Sequence, residues 1–181
     1  MKKFLLALCI LFCFSYAQCL KDKLYDDGLD DSGLPHITQE GKNTLGFMLN
    51  REPWVPKGNN GSGKLSVDVD FGFKNGIFNL AGSRQVNGVL EQFTIGISDS
   101  LNFIKPVYTF NVFPNSSLGV SYTNDTCDYF NKDFSTTATG ILTITKLDKA
   151  NGIISGIFSA NLSKPGCAPV SITDGRFDMK Y

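Results

Sequence analysis

Two Asn-Gly pairs, each set between runs of alternating apolar and polar residues, constrain this chain more than any other feature. Leu65, Val67, Val69, Phe71 and Phe73 alternate with Lys64, Ser66, Asp68, Asp70, Gly72 and Lys74. A period of two gives an extended strand one apolar face and one wet face. Asn75-Gly76 follows, and both residue types tolerate the positive φ of a type I′ turn. Ile77 to Ser83 returns and Asn87-Gly88 turns again. Val89 to Ile97 then sets Phe93, Ile95 and Ile97 on one face. The pattern predicts a three-stranded meander.

The rest of the chain reads the same way. Leu45 to Leu49 and Trp54-Val55 form an opening hairpin, with Pro53 and Pro56 keeping its second strand short or at an edge. Pro106 to Phe113 and Leu118 to Tyr122 are weaker strands, and Asn124 to Asp133 reads as a polar loop. Gly140 to Leu147 and Ile153 to Leu162 flank an Asp148-to-Gly152 turn. Val170 to Ile172 and Phe177 to Tyr181 close the chain, with Thr173 to Arg176 read as a bulge or kink. Gly (18) and Phe (15) are abundant, as suits strands and turns, and no segment reads as helix. The expectation is an all-β domain over 42–181, a single antiparallel sandwich or barrel of about nine or ten strands.

The N-terminus reads as an export signal over 1–18. Lys2 and Lys3 precede an apolar run from Phe4 to Phe14, too short to span a bilayer as a helix. Removing it takes the 17 basic residues to 15 against 17 acidic ones, a net charge of −2. That balance carries no nucleic-acid signature. Two cleavage readings stand. Ser15-x-Ala17 suits an ordinary signal peptidase and leaves Gln18 first. Alternatively, Cys19 is the acylated first residue of a bacterial lipoprotein. Cys19, Cys127 and Cys167 are the cysteines left after cleavage, and an odd one in an exported chain calls for an explanation that lipidation supplies. Residues 19–41 read as a flexible acidic linker: Asp22 to Gly41 holds six acidic residues and few large apolar ones.

Hairpin geometry pairs the other two cysteines. If Leu147 and Ile153 flank the turn, residues in register sum to about 300. Ser135 and Thr136 then lie near Lys164 and Pro165. Cys127 precedes one strand and Cys167 follows its partner, so both sit at one end, and an oxidising compartment favours a Cys127–Cys167 disulfide.

Two blocks resemble a known family. Gly41-Lys42-Asn43-Thr44-Leu45-Gly46-Phe47…Trp54-Val55-Pro56 is similar to the opening block of a family of uncharacterised Bacteroidota cell-envelope lipoproteins. Leu142-Thr143-Ile144-Thr145, Ile153 to Phe158 and Ile172-Thr173-Asp174-Gly175-Arg176-Phe177-Asp178 resemble its closing block. The chain departs from the family pattern at Arg51, where a turn Gly is usual, and at Gln18, where a small residue is usual. The resemblance implies a signal peptide and an acylated Cys19 ahead of a β-rich domain, and it implies no functional residues.

Candidate chemistry is sparse. His36 is the only His and lies in the linker, which argues against His-dependent catalysis and multi-His metal sites. No phosphate loop, zinc spacing or dinucleotide fingerprint occurs, so no cofactor or metal is expected. Asp68 and Asp70 share a strand face, where charge is ordinarily just solvated. Arg176 is read as pairing with a neighbouring Asp, and Trp54 as a packing anchor rather than a sugar platform. Asp99-Ser100-Leu101 fits a short O-glycosylation pattern of the resembled envelope proteins. Asn-x-Ser/Thr triplets begin at Asn60, Asn115, Asn124 and Asn161. The functional expectation is a non-enzymatic envelope lipoprotein whose β domain is binding or structural, with the membrane and a glycan or envelope protein as partners. The alternatives are a secreted or periplasmic β-barrel carrier of a small apolar ligand and an Asp-dependent hydrolase.

Overall fold

The computed structural model describes residues 28–57, 64–103, 105, 107–110 and 117–181. The export signal and Cys19 lie outside the described residues. Among the described residues eleven strands run in chain order: β1 (Thr44–Leu49), β2 (Glu52–Trp54), β3 (Leu65–Asp70), β4 (Ile77–Val86), β5 (Val89–Ile97), β6 (Tyr108–Thr109), β7 (Leu118–Thr123), β8 (Asp128–Phe130), β9 (Thr137–Asp148), β10 (Ile153–Ser163) and β11 (Val170–Lys180). They form two antiparallel sheets, of order β2-β1-β11-β10-β9-β6 and β3-β4-β5-β7-β8. The sheets are not closed into a barrel, so the architecture is a sandwich. This corrects the barrel on which the carrier reading rested.

The turn chemistry explains most of the hairpins. Asn87 and Gly88 take φ of 51° and 84°, as a type I′ turn requires. Asn50 and Arg51 do likewise, with φ of 50° and 75°, and close β1 onto β2 although neither is glycine. The β3–β4 connection is wider than expected. β3 stops at Asp70, whose Oδ1 accepts the Gly72 and Phe73 amides at 2.7 and 3.2 Å. The positive φ angles fall on Lys74 and Gly76, and Phe73 is left in solvent. β8 lies inside the stretch read as a loop and pairs with β7. The β9–β10 register sums to 301 near the turn and to 300 beyond a bulge at Ser155/Gly156.

The core lies between the sheets. Phe47 stacks on Trp54 at 4.6 Å, and Phe93, from the opposite sheet, meets Phe47 at 4.6 Å and Phe158 at 5.3 Å. Phe78 stacks on Phe177 across the same gap at 5.3 Å. These rings, with Leu45, Leu80, Ile95, Leu142 and Ile154, are buried in one contiguous cluster. Large aromatic rings with interdigitated aliphatics fill a two-sheet gap of roughly 10 Å. The sheets are also tied by polar contacts. Trp54 Nε1 and Arg84 Nε both donate to Glu91 Oε2 at 2.7 Å.

Residues 28–41 are not a free linker, which corrects that expectation for the described part. They form a strap over the outer face of β1 and β11. Asp30 accepts amide and hydroxyl hydrogens of Ser32 and the amide of Leu34, which folds the segment into a compact loop. Leu34 is fully buried, and Pro35 packs directly on Gly46, where a Cβ would collide with it. Asp30 pairs with Arg176 at 2.6 Å. The acidic residues that suggest solvation are thus partly spent on β11, a contact 146 residues away in sequence.

Candidate functional site

The two outer faces differ. The strap crosses the six-stranded sheet, whereas among the described residues no segment crosses the outer face of the five-stranded sheet. Strand register arranges that face in rows. Asn79, Gly96 and Gly119 align across β4, β5 and β7. Ala81, Thr94 and Ser121 form the next row, which ends at Phe130 on β8. Ser83, Gln92 and Thr123 form a third, which ends at Asp128. None of the outward positions on β4, β5 and β7 carries a charge, since Arg84 and Glu91 turn inward to Trp54. Exposed protein surfaces ordinarily mix long charged side chains of both signs. These three central strands instead offer hydroxyls, amides and bare backbone, with Asp68, Asp70 and Asp128 confined to the edge strands.

Its floor dips where side chains are missing. A depression of about 270 Å³ is centred on Gly96 and Gly119, and a neighbouring one of about 210 Å³ runs along Ser66, Ala81, Thr94 and Thr123. Two larger side chains rise beside the first. Phe130 is 44% exposed. The Lys132 ammonium hangs 3.9 Å from where a Gly119 Cβ would stand. No carboxylate among the described residues pairs with it. Asp68 and Asp70 mark the far rim, exposed on the edge strand β3. Among the described residues no group of three or more His, Cys, Asp or Glu could hold a metal ion.

The other residues singled out in the sequence fall elsewhere. Cys127 and Cys167 form a disulfide with Cα atoms 6.0 Å apart, at the sandwich end where Tyr129 OH donates to Ala168 O. Trp54 is fully buried and acts as a packing anchor. Ser100 Oγ is buried, so the folded domain does not present it for modification. Asn124 Oδ1 is occupied by the Thr126 and Cys127 amides, while Asn161 faces outward on β10. Asn60 and Asn115 lie outside the described residues. His36 is exposed on the strap. A separate apolar depression of about 280 Å³, with Ile37, Ile141 and Ile157, lies beside Arg176 on the six-stranded sheet.

Sequence reasoning missed Asp178. Its side chain is 1% exposed and collects the strap. Thr38 Oγ1 and Ser155 Oγ donate to it at 2.6 and 2.7 Å. The amides of Glu40, Gly41 and Lys42 donate at 2.9, 2.8 and 3.2 Å. Burial pushes this carboxyl up, but the donors from Thr38, Glu40, Ser155 and Gly41 prevail and hold it down at about 2. Its position in the singled-out Ile172-to-Asp178 block was the available signal, read there as a turn and core motif. At the other end of the sandwich, burial raises the Tyr122 phenol to about 12, and the Glu91 carboxylate adds to the rise.

No protein-family model, curated protein or solved structure matches the chain.

Proposed function

We propose that this protein is a cell-envelope lipoprotein, anchored at Cys19, whose sandwich is a non-enzymatic binding module. The observation that carries the reading is the opposition of the two faces. The chain reaches the domain through the strap on the six-stranded sheet. The face whose three central strands, β4, β5 and β7, carry no outward charge lies on the other sheet with its depressions. A domain held by its strap thus presents the five-stranded sheet away from the anchor. The apolar run ending before Cys19, and the spare cysteine left by the Cys127–Cys167 bridge, support the anchor. The resemblance to the Bacteroidota envelope lipoproteins supports it too.

Two measurements test the reading. The intact mass of the protein from its own envelope, without reductant, is expected to match a chain from Cys19 plus acyl groups. A mass matching an unmodified chain from Gln18 overturns the anchor. The mature protein is also expected to bind isolated envelopes saturably, and a Gly119→Val variant to bind them at least about tenfold more weakly. Equal binding by the two overturns the assignment of the face.

A further inference from the structure

We infer that the depression at Gly96 and Gly119 binds an acidic sugar residue of an extended glycan; this rests on the reading of the five-stranded face as a binding surface. Gly119 gives the first reason. Glycine inside a strand weakens it and marks a bulge, a tight bend or the close approach of another group. The β5–β7 ladder is regular from Gln92 to Ile97, so no bulge explains it. Gly119 does not take a positive φ. A Cβ there would meet Lys132 Cε at 3.6 Å and the Gly96 carbonyl oxygen at 3.8 Å, both ordinary contacts. Neither backbone conformation nor packing within the fold asks for glycine at this position. Space above the sheet does. Gly96 is different, because a Cβ there would strike the Phe78 carbonyl oxygen at 2.6 Å.

The walls give the second reason, and they specify the chemistry. Phe130 supplies a half-exposed aromatic face, against which the apolar side of a pyranose ring packs. Asn79 and Thr94 supply uncharged donors and acceptors, matched to sugar hydroxyls. The Lys132 ammonium is the one charge lining the depression, and no described carboxylate neutralises it. A cation unpaired in an otherwise neutral depression is complementary to one carboxylate on the ligand. The neighbouring row of Ala81, Thr94 and Ser121, with its own depression, leaves room for further sugars of the same chain. Asp68 pairs with Asn79 at the β3 end of the same row, three strand spacings, about 14 Å, from Gly119, and forms no ion pair with Lys132.

The test is a titration of the mature protein with tetragalacturonic acid and with its methyl ester, which keeps the sugars and removes the charges. The acid is expected to bind saturably and at least about tenfold more tightly than the ester. Lys132→Gln is expected to remove that preference, and Phe130→Ser to weaken both ligands. Gly119→Val, which adds a β-branched residue to a strand, is expected to abolish binding without lowering Tm. Equal affinity for acid and ester, or a preference that survives in Lys132→Gln, overturns the proposal. So does the absence of saturable binding up to about 10 mM. If envelope binding remains sensitive to Gly119→Val while the tetrasaccharide fails, the acidic sugar is wrong and the binding face stands. If both fail, the binding reading fails as well.

Discussion

Asp178 shows how one side chain can decide where a segment goes. Its carboxylate lies beneath the strap and takes five hydrogen bonds, three from successive backbone amides of residues 40–42 and two from the hydroxyls of Thr38 and Ser155. An ionised group so placed binds its proton less well in the folded state than in the unfolded one. The sign follows. The contribution is fully present above the usual aspartate value of 3.8 and is lost as pH falls towards about 2. Its size is on the order of 2 kcal/mol. Asp178→Asn is expected to lower the denaturation free energy at pH 7 by about that amount and to flatten the stability curve between about pH 4 and 2. Urea titrations at several pH values, followed by Trp54 fluorescence, check both. The neighbouring Arg176 was legible as an ion-pair residue, but its partner was not. Asp30 is distant in sequence, and only the folded strap brings it within 2.6 Å. Periodicity reports which face a residue occupies and says nothing of which distant residue lands there.

Among the elements, hairpins were the legible part, because Asn-Gly turns and alternation are written locally. Asn87-Gly88 and the long β9–β10 pair appear as the sequence predicts. β8 was hidden because its three residues, Asp128 to Phe130, are too few to establish a period. The strap was hidden for another reason. Its residues are polar and turn-rich, which is the composition of a tether, yet their hydrogen bonds go to β11. Gly46 is a point at which one added carbon disturbs the strap, since a Cβ there collides with Pro35. Gly46→Ala is therefore expected to lift the strap while the sandwich persists. Limited proteolysis should cut the variant between residues 28 and 41 at least about tenfold faster, with the Trp54 emission of the core unchanged. Equal cleavage rates would show that the strap holds without the Pro35–Gly46 contact. The candidate face was legible only in part. Alternation exposes Asp68 and Asp70, but the alignment of Gly96 with Gly119 is a matter of register between strands that are not consecutive turns apart.

For the whole molecule, an all-β class could be read from turns and spacing, whereas the division into sheets could not. That division depends on β6 and β7 parting company, β6 joining β9 and β7 joining β5. The two-sheet core and the Cys127–Cys167 bridge then hold the assembly. The bridge joins residues 40 apart, and loop-closure entropy for that length amounts to about 4 kcal/mol before any strain. Replacing both cysteines by serine is expected to lower stability by about 2–4 kcal/mol, read from denaturant midpoints with and without reductant. Reductant should reproduce the loss in the native chain and leave the double variant unaffected. The sheet order carries one more consequence. β11 lies between β1 and β10 and also holds Arg176 and Asp178. A nascent chain that has not yet delivered Val170 to Lys180 has two fragments of this sheet, β2-β1 and β10-β9-β6, and lacks the Arg176 and Asp178 contacts of its strap. The six-stranded sheet therefore locks only once β11 has been synthesised, and until then neither β1 nor β10 has the neighbour that fixes its place.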